Sequence, residues 1–109
     1  MKLQRFSGKQ KKFKSPILLR HIVGKSMLPS FQEGGLLVAF TWFTGLKPRD
    51  VVIIRHEGRE KVKRVHKVRG GKLFVLGDNS EFSTDSRDFG WLPLEVVTAK
   101  VIWPRVELD

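Results

Sequence analysis

The chain contains no cysteine, which excludes a disulfide, a thiolate-bound metal and a cysteine nucleophile together. Its three histidines, His21, His56 and His66, show no metal-ligand spacing, so neither a zinc site nor any other cofactor is expected. No stretch approaches the roughly 20 apolar residues that a membrane-spanning helix needs. The run Ile17 to Val23 is short and broken by Arg20 and His21. No secretory signal pattern is visible, and the expected location is cytoplasmic or membrane-peripheral, with no transmembrane segment. Residues 1–14 lack any acid and carry Lys2, Arg5, Lys9, Lys11, Lys12 and Lys14, six of the net ten positive charges. Few apolar groups accompany them, so this segment is expected to be a disordered basic tail. It could meet anionic lipid or nucleic acid, or serve only solubility.

What remains is enough for one modest core, because 109 residues at 40% hydrophobic content match one domain. Residues 15–109 are read as a single β-rich domain. Ile17 to Val23 predicts a first strand, and Leu36 to Phe43 predicts a second that is either fully buried or open to something greasy on one face. Val51 to Arg55 predicts a third strand. Lys61 to Val68, with valines at Val62, Val65 and Val68, predicts a fourth containing a bulge. Gly70-Gly71 marks a tight hairpin into Lys72 to Leu76. Ser80 to Gly90 is a long polar loop, Pro93 starts one helical turn, and Val96 to Trp103 is the last strand. The predicted fold class is mainly β, a small curled sheet or barrel with little helix.

The stretch Gly24-Lys25-Ser26-Met27-Leu28-Pro29-Ser30 stands out because it follows an apolar run and carries a proline that biases Leu28 away from helix. Such a turn, anchored by Met27 and Pro29, holds a serine in one place. That is what a nucleophile requires, although a serine in an ordinary strand-to-turn connection fits the same residues. A serine hydroxyl needs a base, and a lysine desolvated by apolar neighbours can be one, whereas arginine cannot. Lys63, between Val62 and Val65, is the candidate; a solvated lysine in a basic strand is the other reading. In the polar loop Ser83, Asp85, Ser86 and Arg87 crowd together. An Asp85–Arg87 pair would brace the loop while a hydroxyl orients the lysine amine.

Three segments, in order, resemble the boxes of type I signal peptidases. They are Gly24-Lys25-Ser26-Met27-Leu28-Pro29, Lys63-Arg64-Val65, and the stretch from Gly77-Asp78-Asn79-Ser80 through Ser83-Thr84-Asp85-Ser86-Arg87 to Pro93. The resemblance implies that Ser26 is the nucleophile and Lys63 the general base, that Ser83 contacts the lysine amine, and that Asp85 and Arg87 support it. It also implies cleavage after a small residue. Some members place a hydroxyl residue, a second oxyanion donor, where this chain has Gly24. The chain shows neither the family's N-terminal anchor nor the large insertion between the second and third boxes. In this it is similar to the small branch of nickel superoxide dismutase maturation proteases.

The expected function is therefore a serine endopeptidase with a Ser/Lys dyad that removes a leader or signal peptide from a precursor protein. Peripheral contact with an anionic membrane is an additional expectation. One alternative is a self-cleaving domain like the SOS repressors, which lack the third box. Another is a non-catalytic β module binding nucleic acid through residues 55–72, with eight basic and two acidic residues. Nucleic acid is the less favoured partner, since that segment has no interleaved aromatics for stacking.

Overall fold

Short runs of β-branched and aromatic residues, punctuated by glycine and proline, form strands of one antiparallel sheet in the computed structural model, which describes residues 2–5 and 16–106. The strands are β1 (Lys2–Arg5), β2 (Ile17–Val23), β3 (Leu36–Phe40), β4 (Val51–His56), β5 (Arg59–Arg69), β6 (Lys72–Leu76), β7 (Leu92–Pro93) and β8 (Val97–Trp103). Their order is β1-β2-β3-β8-β4-β5-β6-β7, and the sheet curls until Lys2 of β1 stands opposite Lys61 of β5. The architecture is the small curled β sheet expected from the sequence.

Two apolar clusters explain why Val51 to Ile54 is buried at every position. Val51 and Ile53 join Ile22, Met27, Leu37, Val62 and Ala99 on one face of β4, while Val52 and Ile54 join Val65, Leu73, Val75 and Leu92 on the other. A strand covered on both faces reads as an uninterrupted apolar run. The bulge foreseen in β5 lies between Val65 and Lys67. Gly70 and Gly71 make the hairpin from Arg69 to Lys72 with φ of 55° and 77°, conformations that favour glycine.

Three expectations are corrected. The second predicted strand stops at Phe40, and of its two readings full burial does not hold while a one-faced strand does: Leu37 and Ala39 point inward, and Val38 and Phe40 share an outer face with Ile17, Leu19 and Trp103. The polar loop holds a 3-10 turn at Ser80–Phe82 and a single helical turn, α1 (Ser86–Phe89). The segment expected to be disordered begins with β1, whose backbone pairs with β2 from Lys2 opposite Val23 to Arg5 opposite Arg20. Its remainder, residues 6–14, lies outside the described residues. Among the described residues no helix is long and apolar enough to cross a membrane.

Candidate active site

β2 ends at Val23, and the chain turns at Gly24, whose φ of 99° suits glycine and would strain the hydroxyl residue found there in some signal peptidases. Gly24 thus shapes the turn and offers no side-chain donor. Met27 is fully buried in the core, and Phe31 N–H donates to its carbonyl at 2.9 Å. The turn is also fastened from across the molecule, because Asn79 N–H donates to the Ser26 carbonyl at 2.7 Å and Asn79 Nδ2 to the Lys25 carbonyl at 3.0 Å. Ser26 is only 1% exposed, and its hydroxyl has no hydrogen-bond partner among the described residues. A buried hydroxyl left unpaired costs about 1–3 kcal/mol, so its retention calls for an explanation.

Lys63 stands opposite Val52 in the β4–β5 ladder and shares that strand's second apolar face. It is fully buried, and its amine donates to Ser83 Oγ at 3.0 Å. The Ser83 hydroxyl in turn donates to Asp85 Oδ2 at 2.8 Å, which leaves its lone pairs turned to the lysine. Desolvation pushes the Lys63 amine below its ordinary value. The Asp85 charge opposes that shift, while the positive charges of Lys61 and Arg87 reinforce it.

Asp85 is fully buried as the N-cap of α1 and completes a capping box with Asp88. It accepts from Gly77 N–H at 2.8 Å, from Arg87 N–H at 3.1 Å, and from the Arg87 guanidinium at 2.9 and 2.6 Å. Burial alone would raise this carboxyl. The hydrogen bonds from Arg87, Gly77 and Ser83 prevail and hold it well below the usual carboxylate range. Because Arg87 already neutralises Asp85, the carboxylate binds the Ser83 hydroxyl without forming a direct ion pair with Lys63.

The five predicted side chains Ser26, Lys63, Ser83, Asp85 and Arg87 are brought to one locality, and Gly77 shows how closely. A Cβ placed on Gly77 would collide with Ser83 Oγ and lie 2.8 Å from the Ser26 carbonyl oxygen, so the two serines converge over this glycine. Sequence reasoning saw Gly77 only as part of a turn. It also missed the buried fork in which Arg64 Nε and Nη2 each reach Asp78 at 2.9 Å, fixing the same turn to β5 one residue beyond Lys63. The Asp78-Asn79 pair beside Arg64 in the matched boxes was the available signal.

A cleft of about 460 Å³ opens at this place, lined by Val23, Ser26, Arg59, Lys61, Phe82 and Thr84 among others. A second cavity, between Lys47–Val51 and Lys100–Val106, contains none of the predicted site residues. Among the described residues no group of His, Asp and Glu could hold a metal ion. Residues 59–105 match the family model described as signal peptidase, peptidase S26. The matched part is similar to signal peptidases and supports a protease of that general kind. It begins with β5 and includes Lys63, Ser83, Asp85 and Arg87; Ser26 lies before it. No curated protein matches the chain.

Proposed function

We propose that the protein is a serine endopeptidase in which Ser26 is the nucleophile and Lys63 the general base. The observation that carries this reading is a buried lysine bonded to a hydroxyl rather than to a carboxylate, next to a buried serine whose own hydroxyl is unpartnered. In the neutral amine one N–H is directed at Ser83, and the nitrogen lone pair is free to take the Ser26 proton. Ser26 Oγ then bonds to the scissile carbonyl carbon, and the carbonyl oxygen becomes an oxyanion that the Ser26 backbone N–H can stabilise. As the tetrahedral species collapses, the C–N bond breaks and the Lys63 ammonium returns the proton to the leaving amine. Water, deprotonated by the same amine, hydrolyses the acyl-enzyme. Ser83 positions the amine, and the Asp85–Arg87 pair positions Ser83.

The likeness of residues 59–105 to signal peptidases favours a leader or signal peptide as substrate, cut after a small residue. Within that class, the short connection between Lys63 and Gly77 favours the nickel superoxide dismutase maturation type. Peptides spanning candidate leader junctions, incubated with the protein and read by mass spectrometry, test the reading. Ser26→Ala is expected to lower cleavage by about a thousandfold or more while keeping the fold. Unchanged cleavage would overturn the assignment.

A peripheral membrane contact is favoured by a separate observation: Ile17, Leu19, Trp42, Ile102 and Trp103 are exposed, and Ile17, Leu19 and Trp103 share one outer face with Val38 and Phe40. Apolar surface with tryptophans, on a chain of net charge +10, suits an anionic bilayer surface. Trp42→Ser with Trp103→Ser is expected to reduce co-sedimentation with phosphatidylserine-containing vesicles several-fold. Sedimentation equal to that of the unaltered protein would exclude this face. The nucleic-acid reading is weakened because half of its eight basic residues are engaged internally: Lys63 is buried, Arg64 holds Asp78, Arg55 meets Glu60, and Lys61 meets Glu57.

A further inference from the structure

Both strands that lead into the site present an edge to the same opening. β2 runs from Ile17 to Val23 and continues to Ser26, while β5 runs from Arg59 through Lys61 to Lys63. The other edge of β2 is taken by β3, and residues 59–64 of β5 are taken on one side by β4. β6 joins β5 only from Arg64 onward. Between β2 and the first half of β5 there is consequently a slot one strand wide, whose walls offer backbone donors and acceptors that β3, β4 and β6 do not use.

β1 fills this slot. Its four residues pair antiparallel with β2 from Val23 back to Arg20, and Lys2 also pairs with Lys61. Lys2 thus stands opposite residues that are three positions from Ser26 on one wall and two from Lys63 on the other. The walls have a direct tie of their own: the Arg20 guanidinium on β2 bonds Glu60 on β5 at 2.9 and 3.2 Å, and Arg20 is buried. Among the described residues β1 meets β5 at the Lys2–Lys61 pair and β2 at four positions, whereas β2 and β3 are joined at five. The occupant is held almost wholly by β2, and its removal would leave the Arg20–Glu60 tie in place.

A peptide that offers its backbone to Ser26 in an extended form gains most by pairing with these same edges, as in other cases of strand addition. Two strands cannot share one slot. We propose that residues 2–5 are an intramolecular competitor: β1 occupies the path by which an extended peptide reaches Ser26, and substrate binds only when β1 leaves. This inference rests on the peptidase reading of Ser26 and Lys63. A tethered strand acts at an effective concentration of about millimolar, so the free site is a minor state and the apparent affinity for peptide falls by its fraction. The effect belongs in KM, with kcat unchanged.

Two variants of the full chain test this, one releasing β1 and one locking it. Successive N–H groups of a strand point to opposite edges, so Leu3→Pro with Gln4→Pro removes one donor toward each wall. This double variant should lower KM about tenfold or more at constant kcat, and it should bind a fluorescent peptide of residues 1–6 at least tenfold more tightly than the unaltered protein. In the second variant Gln4→Cys and His21→Cys, which are direct partners across β1 and β2, can close a disulfide in a chain without any other cysteine. The oxidised form should show at least tenfold lower peptide cleavage and no binding of the fluorescent peptide, with both restored by reduction. Equal behaviour of oxidised and reduced forms overturns the proposal, as does a disulfide that does not form or a proline variant with unchanged or raised KM. If the proline variant does not fold, the disulfide pair decides alone. Peptide binding, measured also on a Ser26→Ala background, separates the two readings. Binding that follows the release and locking of β1 without any cleavage would refute the peptidase and leave the competitor standing.

Discussion

Lys61 and Lys63 stand two residues apart on β5 and on the same face, yet their surroundings differ in kind. Lys61 meets His56 Nδ1 at 3.1 Å, Glu57 at 3.8 Å and the face of Phe89 at 5.4 Å, so it is surrounded by groups that welcome a cation. Lys63 has Val52 opposite it and a hydroxyl at its amine, and the nearby carboxylate is already held by Arg87. One lysine is furnished for charge and the other for its loss. Position along a strand therefore does not decide what a lysine does; the partner that reaches it does.

Removing Lys63 should have the largest effect. Lys63→Met is expected to lower cleavage by about a thousandfold or more, since the base is gone. It should also be more stable than the unaltered protein at pH 7. The folded amine titrates below the ordinary 10.5, so the folded state resists a proton that the unfolded chain accepts. That cost is fully present below the folded value and fades as pH rises toward the unfolded one. Denaturant midpoints of the two proteins should therefore differ at pH 7 and converge toward pH 10. A Lys63→Met protein no more stable than its parent at pH 7 would show that this lysine resembles Lys61 after all.

Gly77→Ala should come next. Its new methyl group meets Ser83 Oγ, Ser83 Cβ at 2.6 Å and the Ser26 carbonyl, and the last of these is backbone that cannot step aside as a long side chain could. Separation of Ser83 from Lys63 should reduce kcat by about a hundredfold, a loss comparable to that from an angstrom of misplacement. An alanine variant with unchanged kcat would mean that the convergence of the two serines has no catalytic consequence.

The smallest effect belongs to Lys61. Its positive charge is one of the causes that lower the Lys63 amine, so Lys61→Met should let that amine titrate higher. The rising limb of kcat against pH should move to higher pH, with a loss of a few-fold at pH 7. A limb that stays in place would separate the two lysines completely.

Much of the site could be read along the chain because its chemistry is local. Pro29 and Gly24 announce a turn around Ser26, and Val62 and Val65 make Lys63 a candidate for burial, with a solvated lysine as the other reading. Ser83, Asp85 and Arg87 lie close enough for the loop to bring them together. β1 could not be read this way. Six positive charges dominate the composition of residues 1–14, whereas the pairing of Lys2 to Arg5 depends on backbone groups that every residue type carries. Gly77 was similarly silent, because a missing side chain gains meaning only when Ser83 and Ser26 approach it.

The strands β2 to β6 and β8, the turns between them and the residue types available for chemistry were legible along the chain, since each depends on neighbours within a few positions. Which lysine lacks a counter-charge of its own and what lies between β2 and β5 follow from the folded arrangement. Both outcomes depend on groups distant in sequence, Arg87 reaching Asp85 behind Ser83 in one case and β1 reaching Lys61 in the other. Desolvation and edge pairing are properties of surroundings, and the fold alone supplies those surroundings.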